Sequence, residues 1–512
     1  MKKYFRRHAY RWHRITSLVI ALPVFLWTLS GFLHPVMNSF KPEVKNHSLP
    51  LTPLDSSKIR MTVKEVLDIH KIDSIRQSRI VEMYGSFYYQ VDQPGNDRLL
   101  YISCFNGQML LNGDIQYAGY LGQRYVSESN SNSGKGEHHS ATTSLKSIVK
   151  NHGMNPDKIN ITDVEQVNSF TSEYKSSNVL LPVYRVDFDR KDHLRLYIDP
   201  VSGKLATAMN DQRAWFTRCF AITHSWSFMN GLGIFKHLLI GLISVLCLLS
   251  SALGYYVHNL TKPGKNNGSS RKFHRVLGNA FVVTTMLYAF SGGWHSLHKL
   301  QQKEIVDREI QPAISTGQLK MDHRKFFSLN DTTIKPLNFS AFLMNDEVLW
   351  QLSLSKEGRK QNLYFRPDGS SLVQDGEKKH AVYLANRFSG KPVDEVEAVK
   401  PITKFNNRYS MMKKRLPVME VRFKDGTSWF IDISTGVTAG VAGPGDEAER
   451  FSFSNLHMHH YWDELLGKKK GKVFKNLVLI SSTLGLMLLA LTGIMMYRTK
   501  MKKRKAMVTN QA

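Results

Sequence analysis

The chain has 512 residues and a formal net charge of +27 at pH 7, so it is long enough for more than one domain and strongly basic. The basic residues cluster beside apolar segments: residues 1–14 carry six Lys or Arg and no acidic residue, residues 259–275 carry five and none, and residues 498–512 carry six and none. This distribution argues against nucleic-acid binding, which favours one continuous basic patch, and favours contact with anionic lipid headgroups. The three cysteines form no Cys-x-x-Cys motif, which argues against a thiol relay or an iron–sulfur cluster.

Four uncharged apolar stretches are long enough to cross a membrane as helices: residues 15–33, 238–257, 276–294 and 477–496. At about 1.5 Å per residue, a helix of roughly 20 residues spans about 30 Å, the thickness of the hydrocarbon core of a bilayer. Cytoplasmic loops are enriched in Lys and Arg, so both termini and the loop at residues 259–275 are predicted to be cytoplasmic. The two long segments between the stretches then lie on the outer side. We interpret the first stretch as a retained anchor rather than a cleaved signal peptide.

The predicted organisation places four spans and two external α+β domains along the chain. In order, these are a basic start with the first span (residues 1–34), the first external domain with an interfacial segment (35–235), the second span (236–258), a basic loop (259–275), the third span (276–295), the second external domain with its interfacial segment (296–475), the fourth span (476–497) and a basic tail (498–512). In both external domains, alternating segments that end in Gly-containing turns predict antiparallel strand pairs, for example at residues 181–199 and 416–432. Helical patterning precedes such pairs at residues 62–72 and 144–152.

The chain is interpreted as a duplicated unit of helix, external domain and returning helix, with a first half (residues 1–258) and a second half (residues 259–512). The recurring motifs are an aromatic-His-Arg start at 12–14 and 273–275, a Ser-Gly-x-x-His exit at 30–34 and 291–295, a glycine in the returning span at Gly254 and Gly493, and a His-x-Trp sequence at 224–226 and 460–462. Both copies begin on the cytoplasmic side, so the repeat is parallel, unlike the inverted repeats common in transporters. The predicted fold class is therefore a four-helix transmembrane bundle from a parallel internal repeat, with two α+β external domains.

Three spans carry a histidine at each end with a constant spacing of 21 residues. The pairs are His13 with His34, His237 with His258, and His274 with His295. At about 100° per residue, the two members of a pair lie within about 60° of each other on one side of the helix. The predicted orientation of the spans sorts the six residues into an inner tier (His13, His258 and His274) and an outer tier (His34, His237 and His295).

Imidazoles that face one another from neighbouring helices at two depths are the arrangement with which four-helix bundles bind two haems by axial ligation. The six histidines are therefore candidate axial ligands of two b-type haems. A bis-histidine haem needs two ligands and each tier offers three, so the pairing within each tier stays open. The fourth span has Asn476 and Tyr497 where the second has His237 and His258, which makes it a wall of the site rather than a source of ligands.

Further histidines lie near the outer tier, in the aromatic segments that precede the second and fourth spans and just after the third span. They are His224, His298, His457, His459 and His460. Segments of this composition favour the membrane interface. One interpretation is an interfacial polar face, and the other is an outer-face access route for an oxidised metal substrate.

These motifs resemble those of the PepSY-associated transmembrane helix family, which includes bacterial iron-regulated membrane proteins and ferric-siderophore reductases of the inner membrane. The similarity rests on the Trp-His-Arg start at 12–14, the two Ser-Gly-x-x-His exits, the Tyr-Ile-Asp-Pro-x-x-Gly hairpin at 197–203 and the His-x-Trp sequence at 224–226, and it covers nearly the whole chain. It implies a bacterial inner-membrane location, two periplasmic PepSY-like domains and two b-type haems that pass electrons outward to a ferric siderophore. Asn476 and Tyr497 depart from the pattern.

The chain has no Gly-x-Gly-x-x-Gly motif after a predicted strand, so its electron donor is expected to be external, with a membrane quinol as the candidate. Two other functions remain open. By the same resemblance, a membrane-anchored PepSY-type protein could bind and regulate a protein partner without redox activity. A metal or proton translocator could use the same histidines, although no Asp, Glu, Lys or Arg lies inside any span.

Overall fold

The computed structural model describes residues 2–40, 42, 44, 48–131, 160–175, 178–260, 269–301, 312–328, 334–356, 359–369, 371–406, 408–410 and 413–509. The helical pattern at residues 144–152 and residues 261–268 of the basic loop lie outside the described residues.

The described residues form ten α-helices. In chain order they are α1 (Lys2–Ser39), α2 (Val63–Ile69), α3 (Gly113–Ser131), α4 (Asp211–Thr223), α5 (Ile234–Leu260), α6 (Ser269–His298), α7 (Gly376–Ser389), α8 (Asp446–Ser452), α9 (Tyr461–Leu465) and α10 (Lys468–Thr509). Four segments are long and apolar enough to cross a membrane: His8–Met37 of α1, Ile234–Asn259 of α5, Ser269–His298 of α6 and Lys468–Lys502 of α10. They contain the four predicted apolar stretches, so the prediction of four membrane-length helices is confirmed.

The strands are short and pair antiparallel. They are β1 (Ser74–Ile75), β2 (Gln77–Met83), β3 (Ser86–Asp92), β4 (Leu100–Ser103), β5 (Ile161–Val167), β6 (Val183–Phe188), β7 (Arg195–Asp199), β8 (Lys204–Met209), β9 (Ile314–Ser315), β10 (Ile334–Met344), β11 (Glu347–Lys356), β12 (Arg359–Phe365), β13 (Val396–Ile402), β14 (Val418–Phe423), β15 (Ser428–Asp432) and β16 (Val437–Ala442). They form a six-stranded sheet in the order β12-β11-β10-β2-β3-β4, two four-stranded sheets, β5-β6-β7-β8 and β13-β14-β15-β16, and a two-stranded sheet, β1-β9.

The chain divides into two compact units, each built from separate segments. The helical unit comprises Met1–Lys41, Gln212–Lys303 and Gly445–Ala512, and the sheet unit comprises Pro42–Asp211 and Glu304–Pro444. The sequence predicted two external α+β domains, and the structure has helices and strands in both segments but joins them in one sheet unit. The six-stranded sheet is continuous because Ala341 of β10 lies opposite Ser78 of β2. One hydrophobic core accordingly contains residues of both halves.

The strand pairs predicted at residues 181–199 and 416–432 are present as β6 with β7 and as β14 with β15. Gly203 and Gly436 close the turns that follow, with φ of +69° and +62°. Glycine adopts positive φ without the steric penalty of a Cβ, which is why these turns carry it.

Matching residues make matching contacts in the two halves of the sheet unit. The side-chain amide of Gln90 donates to the hydroxyl of Tyr101 at 2.6 Å, and that of Gln351 donates to Tyr364 at 2.5 Å. The first residue of α3 lies against the ring of Tyr101 and the first residue of α7 against that of Tyr364, and in both places a Cβ would overlap with the ring. Helix α3 of the first half therefore corresponds to α7 of the second.

Candidate functional site

The four membrane-length helices pack as a ring within the helical unit. Helix α1 contacts α5 and α10, and α6 also contacts α5 and α10. Helices α1 and α6 therefore lie at opposite corners of the bundle. The histidines at 13 and 34 are on α1 and those at 274 and 295 are on α6, so each tier has imidazoles on diagonally opposed helices.

In the inner tier, His13 of α1 is held against α5. Its Nδ1 lies 2.9 Å from the carbonyl oxygen of Ser250. Because a carbonyl only accepts, Nδ1 carries the proton and Nε2 carries the lone pair. The ring lies over Gly254, where a Cβ would come within 2.9 Å of the imidazole Cε1. The glycine therefore provides the space that this imidazole occupies.

His274 of α6 is held against α10 in the same way. Its Nδ1 lies 3.0 Å from the hydroxyl oxygen of Thr492, whose own proton bonds the carbonyl of Leu489 at 3.0 Å. The hydroxyl oxygen is thus an acceptor, and Nε2 of His274 again carries the lone pair. A Cβ at Gly493 would lie 3.5 Å from the Cε1 of the ring.

The third inner-tier histidine, His258 of α5, is placed differently. Its Nδ1 is buried and has no hydrogen-bond partner among the described residues. Its backbone carbonyl accepts from the guanidinium of Arg275 at 2.8 Å. The structure thus distinguishes a matched pair, His13 and His274, from His258.

Four imidazoles gather at the other end of the bundle, and we call them the outer cluster: His34, His224, His295 and His457. Nδ1 of His224 lies 2.9 Å from the hydroxyl oxygen of Ser30 on α1, and Nδ1 of His457 lies 3.1 Å from that of Ser291 on α6. Both hydroxyl protons bond carbonyls of their own helix, at 2.8 Å for Ser30 and 2.7 Å for Ser291. Both oxygens therefore accept the Nδ1 proton, and Nε2 of each imidazole carries the lone pair.

In each half a phenylalanine ring lies between the two imidazoles of the outer cluster. The ring centroid of Phe220 lies 4.5 Å from that of His224 and 5.7 Å from that of His34. The ring centroid of Phe453 lies 5.0 Å from that of His457 and 4.3 Å from that of His295. The halves meet where His224 and His457 face each other, with ring centroids 6.1 Å apart and planes at 80°.

His457, not His460, is the structural counterpart of His224, which corrects the correspondence predicted from the two His-x-Trp sequences. His460 is exposed and pairs with Asp463 at 2.9 Å. The sequence signal for the pair that the structure shows is Phe-x-x-x-His at 220–224 and 453–457. The His-x-Trp match obscured it because it displaced the alignment by three residues.

The residues two positions after His224 and His457 have different side chains but the same backbone conformation. Trp226 and His459 both have positive φ, +49° and +55°. Trp226 stacks on Trp27 of α1 with ring centroids 5.3 Å apart. The buried His459 instead places Nε2 2.8 Å from the hydroxyl of Tyr288 on α6. One half therefore has an aromatic stack where the other has a hydrogen-bonded Tyr–His pair.

The second half also supplies carboxylates to this end of the bundle. Nδ1 of His295 lies 2.5 Å from the buried carboxylate of Glu449, and His298 bonds Asp446. Counting from the two Phe-x-x-x-His sequences, Phe216 in the first half matches Glu449. The two halves therefore contribute the same arrangement of rings to the outer cluster, but only the second half adds a carboxylate beside it.

The remaining outer-tier histidine, His237 of α5, is half-buried. Its Nδ1 lies 3.0 Å from the hydroxyl of Ser296 on α6. Its counterpart in the fourth span is Asn476, so His237 has no symmetry mate.

Burial keeps the two central imidazoles neutral. Desolvation is the main reason that the pKa of His224 falls to about 4 and that of His457 to about 3, and the positive potential of neighbouring histidines acts in the same direction. Both residues lie outside the four membrane-length helices. At neutral pH each is therefore a neutral imidazole, the form that binds a metal.

Comparison with protein-family models and with curated proteins gives no match. Within the described residues, no group of three or more His, Cys, Asp or Glu side chains is arranged to hold a metal ion. A bare ion needs about four ligands, whereas a porphyrin brings four nitrogens and needs only axial ligands. The imidazoles at the two ends of the bundle are thus arranged in pairs rather than in groups that could enclose a bare ion.

Proposed function

We propose that this chain is a bacterial inner-membrane electron-transfer protein, built from a parallel repeat, that binds two b-type haems and reduces a periplasmic ferric chelate such as a ferric siderophore. The observation that carries the proposal is the matched presentation of imidazoles at two levels of the bundle. In each of four imidazoles, Nδ1 is hydrogen-bonded to an acceptor and Nε2 carries the lone pair; these are His13, His274, His224 and His457. A hydrogen bond on the other nitrogen is what usually orients a ligating imidazole.

At the outer level the residues present fit a haem. His224 and His457 would hold the iron of a haem there through their Nε2 atoms. The rings of His224 and His457 are 6.1 Å apart. The proposed ligand pairs are His13 with His274 at the inner site and His224 with His457 at the outer site.

The alternative outer ligands, His34 and His295, would lie farther from the inner site. Ser30, which holds His224, is 17 residues from His13, or about 25 Å along α1, whereas His34 is 21 residues or about 31 Å away. Because electron transfer slows steeply with distance, the shorter separation favours His224 and its partner. We infer that His34 and His295 flank the outer site.

A haem at each level would supply a one-electron centre, and the protein supplies ligation, separation and a low dielectric. A phenylalanine ring stacks on each of the two central imidazoles. A membrane quinol is the proposed donor. The proposed acceptor is a ferric chelate, from which iron is released more readily once it is ferrous.

The first test replaces one ligand at each level. The purified protein is expected to show a b-type reduced-minus-oxidised absorbance spectrum with two haems per chain. His13→Ala and His224→Ala should each leave one, because an axial ligand is lost at one level. His460→Ala is the matched control, since that residue is exposed and should leave both.

The absence of haem absorbance after expression with sufficient haem would contradict the proposal and leave a membrane-anchored binding protein. Retention of two haems in both variants would contradict the assignment of His13 and His224 as haem ligands. A second experiment tests the acceptor by adding a ferric chelate to the dithionite-reduced protein. If the chelate accepts electrons, the absorbance bands of the protein should return to those of the oxidised form.

A further inference from the structure

The first turns of α10 carry a group of exposed lysines, which we call the α10 lysine patch: Lys468, Lys469 and Lys472. Residues three or four positions apart are neighbours on a helix, so Lys472 lies beside both of the others, whereas Lys470 is on the opposite side. None of the three has an ion-pair partner among the described residues, and the carboxylate of Asp463 on α9 pairs with Lys475 at 2.8 Å instead. The patch therefore presents three unpaired positive charges on one side of the helix.

Exposed apolar side chains follow the patch along the same face of α10. Val473 comes four residues after Lys469, and Leu477 comes four residues after Val473, so the three stand in one column on the helix surface. The side chains of Val473 and Leu477 are 62% and 59% exposed. This face of α10 therefore changes from cationic to apolar within about two turns.

The change in polarity lies at the depth where lipid headgroups give way to acyl chains. The uncharged stretch of the fourth span begins at residue 477, so at about 1.5 Å per residue Lys472 lies about 7.5 Å before it and Lys468 about 13.5 Å before it. The headgroup layer on each side of a bilayer is about 5–8 Å thick. The long lysine side chains reach this layer by bending towards it.

Helix α9 holds the start of α10 in place. Gly471 lies against the backbone of α9, since a Cβ there would come within 2.3 Å of the carbonyl oxygen of Trp462. The ring of Trp462 in turn packs on that of Phe474, with ring centroids 4.3 Å apart. The lysine patch therefore belongs to a packed corner between two helices rather than to a free helix end.

The first half has no such patch at the matching place. Counted from the correspondence of Gly254 with Gly493, its residues there are Met229, Asn230 and Gly233. The one lysine that the two halves share is Lys236, at the position of Lys475, and it bonds the side-chain oxygen of Asn230 at 2.8 Å. The charge of the patch is thus particular to the second half and does not follow from the repeated framework.

The patch lies at the end of the bundle opposite to the inner tier. Thr492, which accepts from His274 of the inner tier, is 20 residues after Lys472, or about 30 Å along α10. In the proposed orientation the patch is therefore on the outer side. The Lys and Arg residues that set the orientation of a membrane protein concentrate on the cytoplasmic side, so the patch is not such a signal and indicates contact with an anion.

We propose that the α10 lysine patch binds the phosphate of an anionic phospholipid in the outer leaflet, whose acyl chains contact Val473 and Leu477. An acidic protein would meet the lysines but not the two apolar side chains, which lie at the depth of the acyl chains. Basic residues close to a bilayer favour anionic over zwitterionic lipids. The inference depends on the membrane location of the helices and not on haem binding.

Hydrogen–deuterium exchange of the full-length protein in lipid nanodiscs measures this contact segment by segment. Discs of phosphatidylcholine are compared with discs in which part of it is replaced by phosphatidylglycerol with the same acyl chains. Exchange at residues 461–475 should be slower in the discs with phosphatidylglycerol, because the bound headgroup shields the first turn of α10, whose amides lack acceptors within the helix. Residues 226–236, the matching segment of the first half, are the internal control and should exchange equally in both discs.

The triple variant Lys468→Gln, Lys469→Gln and Lys472→Gln should lose the difference between the two kinds of disc. The matched control, Lys400→Gln with Lys404→Gln and Lys424→Gln, removes three exposed lysines of the sheet unit and should keep it. Unchanged exchange in the rest of the helical unit shows that each variant is folded.

Equal exchange at residues 461–475 in both kinds of disc would overturn the inference and favour an acidic protein as the partner of the patch. A difference that survives in the triple variant, or that is as large at residues 226–236, would also overturn it, because it would show a general effect of surface charge. The haem spectrum is measured on the same samples, so the proposed function stands or fails independently of this result.

Discussion

Hydroxyl groups determine which nitrogen of the central imidazoles is available. Ser30 and Ser291 each bond a carbonyl of their own helix and so accept the Nδ1 proton of His224 and His457. Each ring is thereby held in one tautomer and one orientation before any ligand binds. The partner behind a ligating imidazole typically contributes about 10–100-fold to metal affinity.

We therefore expect Ser30→Ala and Ser291→Ala each to weaken haem binding at the outer site by about 10–100-fold, because Nδ1 loses its acceptor and the ring its orientation. The measurement is a haem titration of the apo-protein, followed by absorbance. Ser481→Ala is the control, since this exposed serine of α10 bonds only the carbonyl of Val478 on its own helix. Affinities equal to the control in both variants would show that the hydroxyls do not position the imidazoles.

At the scale of elements, the two helix pairs that hold the inner imidazoles differ in how closely they approach. A Cβ at Gly254 would come within 2.9 Å of His13, whereas a Cβ at Gly493 would lie 3.5 Å from His274. The first distance requires a shift of the imidazole, and the second is an ordinary van der Waals contact. The chain thus offers a matched pair of glycines with opposite expected behaviour.

Gly254→Ala should displace His13 and lower the occupancy of the inner haem, while Gly493→Ala should leave it unchanged. In the haem-free protein neither should lower the unfolding temperature, since alanine favours a helix over glycine by about 1 kcal/mol, whereas with haem the loss of ligand should lower that of Gly254→Ala. Haem content per chain and the unfolding temperature are measured together. Equal haem content in the two variants, or a loss confined to Gly493→Ala, would contradict the assignment of His13.

The sequence predicted what local patterns encode. Apolar runs predicted the four long helices, alternation predicted the strand pairs, and the matched starts at 12–14 and 273–275 placed His13 and His274 among the three inner-tier candidates. Periodicity reports which face of an element is buried but not what it meets. That is why the sequence alone left the third histidine of each tier as an equal candidate.

Contacts between distant segments were not predicted. The bond between His224 and Ser30 spans 194 residues, and the junction of the six-stranded sheet is a single pairing of Ala341 with Ser78. No local sequence pattern at these residues indicates either contact. Comparison of the halves at Phe-x-x-x-His would have identified His457, because phenylalanine there packs between two imidazoles in both copies.

At the scale of the whole chain, the two halves share a framework and differ in charge. At the outer cluster, the second half has the carboxylate of Glu449 where the first half has Phe216. The sheet unit provides a second case, at a buried arginine.

Arg415 joins the two four-stranded sheets, one from each half. Its guanidinium lies 3.0 Å from Asp199 at the end of β7 and 3.1 Å from Asp432 at the end of β15. All three side chains are buried, with exposures of 7%, 0% and 1%. The matching position in the first half is Leu180, whose carbonyl accepts from a tyrosine hydroxyl as that of Arg415 does. A single arginine therefore serves the carboxylates of both halves.

Arg415→Leu, which introduces the first-half residue, should lower the free energy of unfolding by about 3–5 kcal/mol at pH 7, because the guanidinium that pairs with both buried carboxylates is lost and only the charge of Lys204 remains near them. Burial alone would raise the pKa of Asp432, but the charges of Lys204 and Arg415 outweigh it and hold that pKa below its usual range. A depressed folded-state pKa stabilises the fold above the unfolded value and loses this contribution as pH falls. Without the arginine, burial raises the pKa of the two carboxyls, so the variant takes up protons at a higher pH than the original protein and its deficit should shrink as pH falls towards 4.

Unfolding of the full chain in detergent, followed by circular dichroism between pH 7 and pH 4, measures both effects. Adding Asp199→Asn and Asp432→Asn should recover most of the stability at pH 7, since the uncompensated charges are then gone. Arg366→Leu is the control, because its pair with Glu347 is exposed and contributes at most about 1 kcal/mol. If Arg415→Leu unfolds like this control at every pH, the two sheets are held together by their apolar contacts, and the arginine only occupies the space that leucine fills in the other half.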